Sequence, residues 1–226
     1  MEIQVGALIT AAGSGSRFGE PKQFLELSVG ERVVDRAVAT AKAVATWTAV
    51  VLPEGSSWDG EAVDVSTTGG RSRYESIAIG LALVPEEIDV LLVHSASHPL
   101  ASIELARRLI TAIADGADGA VPFLPAADVI KERDSSGSLR TIGRDGLGSA
   151  QCPMAFSRPM LDRAFAEIDD GTEESQLVEA IGGRVVAVEG EVSNLHIVDR
   201  SGLAIARALC LLETQLEISS ESSPAV

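Results

Sequence analysis

VGALIT at residues 5–10, followed directly by AAGSGSRFGEPKQ at residues 11–23, is the segment from which the architecture of this chain can be predicted. The first six residues form an apolar run that is typical of a strand buried in a parallel sheet. The small residues after it let a polyanion approach the backbone, because glycine has no Cβ and accepts unusual φ angles. Their N–H groups can form an anion-binding concavity. Arg17 and Lys22 add two cations at a spacing that suits a triphosphate.

This loop differs from two well-known phosphate-binding signatures. No Gly-Lys-Ser/Thr triplet follows the glycines, and Phe18 stands where a dinucleotide fingerprint has its third glycine. The simplest alternative is an ordinary strand-to-helix turn with two solvated cations. We favour a binding function because Arg17 is followed by Pro-Lys-Gln at residues 21–23.

Composition limits the class of protein. The 226 residues are enough for one large domain with a full core, and aliphatic side chains far outnumber aromatic ones. A formal net charge of −15 argues against nonspecific binding of nucleic acid, which needs a basic face. No apolar run reaches the ~20 residues that span a bilayer, and we recognise no signal peptide. Cys152 and Cys210 are isolated, so we expect no disulfide framework and a cytoplasmic protein without membrane partners.

Strand-like and helix-like segments alternate along the chain. Strands are predicted at residues 5–10, 48–52, 90–93, 119–124, 185–188 and 195–198, and helices at residues 31–44, 76–83, 102–114, 160–168, 174–181 and 201–216. This alternation predicts a single α/β domain over residues 1–217, with a mostly parallel sheet and helices on both faces. Residues 128–150 are interpreted as a projecting β-arm that makes a dimer contact, because a polar turn there separates two extended runs. Residues 218–226 are predicted to be disordered.

Polar segments follow several of the predicted strands. TGGRSRYES at residues 68–76 opens a helix with a Gly-Gly turn, and HSASHP at residues 94–99 follows the third strand. In open α/β sheets, ligands bind beyond the carboxyl ends of the strands. We therefore expect both segments to lie beside the glycine-rich loop.

Two other kinds of site can be built from these residues. His94, His98 and His196 could ligate Zn²⁺, although histidines in strands are more often packed or hydrogen-bonded. Ser95, Ser97, His98 and Asp128 include the residue types of a hydrolytic triad, but no nucleophile-elbow pattern accompanies them.

In order and spacing, the polar segments resemble those of the 2-C-methyl-D-erythritol 4-phosphate cytidylyltransferase family over nearly the whole chain. The loop at residues 11–23 is the most specific of them. The other segments are Gly69-Gly70 with Arg73, Ser76 and Gly80-Leu81, and residues 94–99, 128–131, 141–147, 151–156, 172–179 and 194–197.

The resemblance implies a Rossmann-like nucleotidyltransferase fold, similar to the GT-A type, and a homodimeric, Mg²⁺-dependent transferase of isoprenoid-precursor biosynthesis. In such enzymes the phosphate of a sugar alcohol attacks the α-phosphorus of CTP, and pyrophosphate leaves. The implied catalytic residues are Arg17, Lys22 and His196. The implied nucleotide contacts are Ala11, Ala12, Gly13, Ser14, Gly15, Gly70, Ser76, Ser95 and Ala96. The implied acceptor contacts are His98, Val129 and Arg144, with the arm completing the site of a neighbouring subunit.

The sequence departs from the family pattern at implied phosphate contacts and in the implied acceptor pocket. Ser95 replaces an Asp, and a hydroxyl is a weaker ligand for a hard cation than a carboxylate. His98 replaces an Arg and His196 a Lys, so two permanent cations are lost. Val129 and Met154 replace a Thr and a Gln. Two further hypotheses follow, namely a cytidylyltransferase for another polyol phosphate such as ribitol 5-phosphate, and a catalytically weakened nucleotide-binding relative.

Overall fold

Strands and helices alternate through the computed structural model, which describes residues 3–15, 18–171 and 173–221. The strands are β1 (Val5–Thr10), β2 (Glu26–Ser28), β3 (Glu31–Arg32), β4 (Trp47–Leu52), β5 (Val65–Thr68), β6 (Val90–Ser95), β7 (Gly119–Pro125), β8 (Lys131–Arg133), β9 (Leu139–Thr141), β10 (Gly148–Ala150), β11 (Met154–Ser157) and β12 (Val185–Glu189). The helices are α1 (Val33–Lys42), α2 (Arg73–Leu81), α3 (Ile103–Ala114), α4 (Arg158–Glu167), α5 (Glu174–Ala180) and α6 (Arg200–Glu221), with a 3₁₀ turn at Lys22–Phe24.

β1 lies in the middle of an eight-stranded sheet. Across the sheet the order is β5, β4, β1, β6, β11, β7 and β12, and β10 also pairs with β7. β1 is parallel to both of its neighbours, whereas β11 is antiparallel to β6 and to β7, and β10 is antiparallel to β7. The other six strands therefore run in one direction, and the carboxyl ends of β1 and β6 meet at one edge. The predicted mostly parallel α/β sheet is confirmed.

Helices cover both faces of this sheet. Ala7 and Ile9 of β1 pack in one core cluster with buried residues of α1 and α3. Leu8 points to the opposite face, into a cluster with buried residues of α2, α4 and α5. Successive side chains of a strand alternate between faces, so one apolar strand supplies both cores. A third cluster joins α6 to β2 and to Phe18.

The predicted arm is present, with a shorter extent. β8 and β9 form a separate antiparallel hairpin of exposed residues, turned at residues 134–138. β10, the last part of the predicted arm, pairs with β7 and belongs to the main sheet.

Three other local predictions need correction. β5 was not predicted, because its sequence VSTT is polar and only half buried at the edge of the sheet. Residues 195–198 form no strand, although the Ile197 N–H donates to the Ser97 carbonyl over 2.9 Å. α6 continues to Glu221, so residues 218–221 are helical where disorder was predicted; residues 222–226 lie outside the described residues.

The described part of the chain contains both cysteines and six α-helices. Cys152 and Cys210 are both free thiols. None of the helices there combines the length and the apolar character that a membrane crossing requires.

Candidate active site

The glycine-rich loop after β1 is held from inside the protein by Gln23. This side chain is 4% exposed, and its Nε2 donates to the carbonyls of Ala11 and Gly13, each over 2.8 Å. Gly15 has φ +71°, and its carbonyl accepts the N–H groups of Phe18 and Gly19. The path of the loop therefore depends on a buried amide and on one left-handed glycine. The predicted catalytic residue Arg17 lies outside the described residues.

Two cavities meet beyond the carboxyl ends of β1 and β6. The first has a volume of about 580 Å³ and the second about 710 Å³, sizes that are usual for small-molecule sites. Residues that line both cavities form their junction: Gly13, Ser14, Arg73, Ser95 and Ser97. Among the predicted residues, Ala11, Gly15, Lys22, Ala96, His98 and His196 line the first cavity, and Ala12, Gly70 and Ser76 line the second. The structure thus brings together every predicted nucleotide contact.

Lys22 and two histidines form one wall of the first cavity. Lys22 Nζ donates to the Ile197 carbonyl, which places the ammonium next to the segment that carries His196. The rings of His98 and His196 stack, with centroids 4.5 Å apart and planes 19° from parallel. Burial, followed by electrostatic effects of the His196 ring and of other nearby groups that include Arg73 and Lys22, lowers the pKa of His98 to about 3. His98 is therefore neutral at pH 7, and Lys22 supplies the permanent charge on this wall.

The histidines do not form a zinc site. His94 Nε2 lies 2.9 Å from the His98 carbonyl and must carry a proton to donate to it. A histidine nitrogen binds a metal ion that lies in the plane of its ring. The rings of His98 and His196 are stacked in nearly parallel planes, so one ion cannot lie in both planes. The hydrolytic alternative also fails, since Asp128 lies exposed at the base of the arm and does not line the cavity with Ser95.

The segment that carries His196 is fixed by two buried amides. Gln151 Nε2 donates to the carbonyls of Glu191 and Asn194 over 2.8 and 2.9 Å, and its Oε1 accepts the Glu191 N–H. Asn194 Nδ2 donates to the Cys152 carbonyl over 2.7 Å. These bonds hold the turn that precedes His196, and residues 195–198 continue from it without joining a strand, with the Ile197 N–H bonded to the Ser97 carbonyl.

Close packing shapes the second cavity. A Cβ on Gly69 would lie 2.6 Å from Ala12 Cβ and 2.7 Å from Ser76 Oγ. Ser76 Oγ accepts the Gly70 N–H over 3.1 Å and donates to the Ser72 carbonyl over 2.8 Å. The Ser76 hydroxyl therefore holds the glycine turn; its contact with a base stays a prediction.

Two predicted acceptor contacts lie away from the cavities of their own chain. Val129 and Arg144 are exposed near and beyond the β8–β9 hairpin, and neither lines either cavity. Arg144 Nη1 donates to the Ala127 carbonyl, which fixes the guanidinium at the base of the arm. Any contact of these residues with an acceptor would thus have to be made elsewhere, as at a neighbouring subunit.

The carboxylates near the cavities do not form a Mg²⁺ site of their own. Glu174 is paired with Arg73, and Ser95 offers only a hydroxyl, which accepts the Ser97 N–H over 3.3 Å. Burial and the adjacent Glu174 raise the pKa of Glu173, one of whose oxygens is buried without a partner among the described residues. In that part of the chain no three His, Cys, Asp or Glu residues could together hold a metal ion.

Because two histidines are buried, we predict that the free energy of unfolding decreases as the pH is lowered below 7. Burial lowers the pKa of His94 to about 4 and that of His98 to about 3, against 6.5 for a free imidazole. Between pH 6.5 and 4 the unfolded chain binds protons that the folded chain does not, so unfolding becomes easier as the pH falls. Each histidine contributes a slope of up to about 1.4 kcal/mol per pH unit.

This dependence can be measured by urea unfolding at pH 7, 6 and 5, where most carboxylates stay ionised. We expect the free energy of unfolding to decrease towards pH 5. His94→Gln keeps an N–H donor for the His98 carbonyl, and we expect it to have a shallower pH slope than the parent. Equal slopes in the parent and the variant would show that His94 is not held neutral.

Several residues that build the site were not predicted from the sequence. Gln23 and Gln151 were quoted only as parts of motifs, and Glu173 and Glu174 only as part of the segment at residues 172–179. Arg73 was part of the second motif without a role. The available signal was position: Gln23 directly follows Lys22, Gln151 directly precedes Cys152, and the other three lie within segments that resemble family motifs.

Cavities of this size, beyond the carboxyl ends of parallel strands and with a glycine-rich loop and a lysine on one wall, suit a nucleoside triphosphate. The Rossmann-like sheet and this site define a nucleotidyltransferase. A family model described as 2-C-methyl-D-erythritol 4-phosphate cytidylyltransferase matches residues 5–211, and the chain belongs to that family.

Individual relatives agree with this assignment. A 2-C-methyl-D-erythritol 4-phosphate cytidylyltransferase of Chromobacterium violaceum is 38% identical over 217 residues, which cover 90% of this chain and 96% of the relative. One of Rubrobacter xylanophilus is 35% identical over 215 residues, covering 90% and 93%. The crystal structure of the Thermus thermophilus protein of the same name has a TM-score of 0.79 at 29% identity, covering 92% of this chain and 98% of the other.

Proposed function

We propose that this chain transfers the cytidylyl group of CTP to the phosphate of 2-C-methyl-D-erythritol 4-phosphate, with release of pyrophosphate, in isoprenoid biosynthesis. The observation that carries the proposal is the junction of the two cavities, where Gly13, Ser14 and Ser95 border both spaces. A nucleotide and an acceptor can therefore meet end to end. Membership of the family supplies the identity of both substrates.

The proposed reaction is a direct displacement, so no protein side chain needs to form a covalent bond to the substrate. An oxygen of the acceptor phosphate forms a bond to the α-phosphorus of CTP, and the bond from that phosphorus to the β-phosphate oxygen breaks. Catalysis then rests on holding the two phosphates in line and stabilising their charge. We assign the nucleoside to the cavity beside Gly69 and Gly70, and the triphosphate to the glycine-rich loop and Lys22. The acceptor is assigned to the part of the first cavity beside His98 and His196.

Further parts of the proposal go beyond family membership. Mg²⁺ would be carried by the phosphates of CTP, since the described residues form no metal site, and we assign no step to it. A homodimer is supported by the exposed hairpin with Val129 and Leu139, each 64% exposed. The cytoplasmic location stays a prediction.

An acceptor panel tests the activity itself. We expect pyrophosphate release from CTP and Mg²⁺ with 2-C-methyl-D-erythritol 4-phosphate, and less with ribitol 5-phosphate, although His98, Val129 and Met154 differ from the family pattern. A clear preference for ribitol 5-phosphate would replace the proposed acceptor. CTP binding without turnover of either acceptor would favour a catalytically weakened nucleotide-binding relative. A large gain of pyrophosphate release in the double variant Ser95→Asp/His196→Lys would then show that the missing carboxylate and ammonium had weakened the activity.

Mixing two inactive variants tests whether the arm acts between subunits. Lys22→Ala removes the cation of the first cavity, and Arg144→Ala removes the implied acceptor contact on the arm. If each site takes Lys22 from one subunit and Arg144 from the other, a mixed dimer contains one complete site. We expect activity to reappear when the two variants are unfolded together and refolded, up to about a quarter of the parental rate for random pairing. No recovery, with dimers present in the mixture, would contradict an arm that completes the neighbouring site.

A further inference from the structure

Arg73 lies at the junction of the two cavities, although the sequence pattern assigned it no role. It is the first residue of α2 and lines both cavities, so its side chain lies where the nucleotide and acceptor spaces join. If CTP and the acceptor bind as proposed, the α-phosphorus of CTP, which the acceptor phosphate attacks, lies at this junction. This inference therefore rests on the proposed function.

Neighbouring groups fix the plane of the Arg73 guanidinium. Its Nε and Nη2 donate to Glu174 Oε1 and Oε2 over 2.9 and 2.8 Å, a two-point pairing. Nη1 donates to Thr10 Oγ1 at the end of β1 over 3.3 Å. The Glu174 side chain is only 3% exposed, whereas that of Arg73 is 32% exposed. One edge of the guanidinium is thus anchored in the protein, and the rest is accessible.

Arg73 has more N–H donors than its partners in the protein use. A guanidinium carries five N–H groups, and the bonds to Glu174 and Thr10 use three of them. Among the described residues no acceptor pairs with the remaining N–H on Nη1 or on Nη2. Burial opposes the charge of Arg73, but attraction to Glu174, together with Cys152 and Glu173, outweighs it and raises the pKa of the guanidinium further. Two charged donors with fixed direction are therefore available at the junction.

We propose that Arg73 is a catalytic residue that donates these two N–H groups to the α-phosphate of CTP, and that Glu174 positions it. Preorganised donors of this kind stabilise charge that develops during displacement, because they need no reorientation. The pair with Glu174 has no net charge, so it adds little to the overall attraction of a triphosphate. Loss of the geometry should then lower kcat more than it weakens CTP binding.

Arg73→Lys tests this directly, since it keeps the charge and loses the planar fork. We expect kcat to fall about 100-fold, with the Kd for CTP changed by less than about threefold. Glu174→Gln keeps an acceptor oxygen but loosens the pairing, and we expect a fall of about 10-fold in kcat with CTP binding retained. Adding guanidinium ion to Arg73→Ala should restore part of the lost rate, an effect that a purely structural role would not produce.

Arg158 provides a matched control for the loss of a partly buried arginine. Its side chain is 14% exposed and pairs with Asp162 over 2.7 Å, at the opposite edge of the sheet. Arg158→Lys should lower thermal stability about as much as Arg73→Lys and leave kcat unchanged.

A double variant keeps the test valid if Arg73→Ala misfolds, since that substitution leaves Glu174 buried without its partner. Arg73→Met/Glu174→Gln removes both charges, and we expect this variant to fold and bind CTP but to have a low kcat.

The outcomes separate this inference from the proposed function. An active parent whose folded Arg73→Lys and Arg73→Met/Glu174→Gln variants keep near-parental kcat would overturn the role of Arg73 alone. A fall in activity that matches the loss of folded protein, without rescue by guanidinium, would also overturn it. A parent that turns over no acceptor would overturn the proposed function, and this inference with it.

Discussion

Lys22→Ala is expected to lower kcat for pyrophosphate release by at least about 10²-fold while the fold is retained. Lys22 is the permanent cation on the wall of the first cavity that also carries His98, which is neutral at pH 7. His98 cannot take over that charge without a large cost, because burial lowers its pKa to about 3. Steady-state kinetics with saturating CTP measures the effect.

The structural part of the Lys22 effect can be separated. Lys22 Nζ also donates to the Ile197 carbonyl, and losing such a bond costs about 1 kcal/mol, or roughly 2–4 °C in the unfolding midpoint. Lys42 makes a similar bond to the Ala62 carbonyl, far from the cavities. Lys42→Ala should therefore show a similar thermal shift with unchanged kcat. Near-parental kcat in Lys22→Ala would show that the first cavity is not the phosphate site.

Gly15→Ala is expected to disrupt the glycine-rich loop, whereas Gly13→Ala leaves the fold stable. A Cβ on Gly15 would lie 1.8 Å from the Glu20 carbonyl oxygen, and φ is +71°, a conformation that alanine adopts at a cost of about 1–3 kcal/mol. A Cβ on Gly13 meets nothing within 4 Å among the described atoms, and φ there is ordinary. Both substitutions add one methyl group to the same loop, so they are a matched pair.

Thermal unfolding and CTP titration distinguish the two glycine variants. Gly15→Ala should lower the unfolding midpoint by several degrees and weaken CTP binding, because the backbone must move to relieve the overlap. Gly13→Ala should keep the parental midpoint, and any weaker CTP binding would then reflect a methyl group inside the cavity. Equal midpoints for Gly15→Ala and the parent would show that the loop takes another path in solution.

The architecture was predictable because its signals are local. The apolar run of β1 and the helical spacing of α1 and α3 each determine an element from neighbouring residues alone. The start of α3 was predicted within one residue, and there the Ser102 hydroxyl caps the helix by accepting the Leu105 N–H. β5 escaped because an edge strand needs only half-buried, polar residues. Residues 195–198 were assigned to a strand because their apolar alternation is typical of one, whereas the bond of the Ile197 N–H to the Ser97 carbonyl joins segments that are distant in sequence.

By itself the sequence determined the α/β class, the glycine-rich loop, the lysine beside it and the family, since these depend on residue type and spacing. Tertiary structure alone decided which side chains act together. Gln23 clamps the loop, His98 stacks on His196, and Arg73 meets Glu174 across a separation of 101 residues. Such pairings arise where segments distant in sequence pack together, and burial there determines the protonation state and the orientation of the side chains. A local sequence pattern therefore cannot predict them.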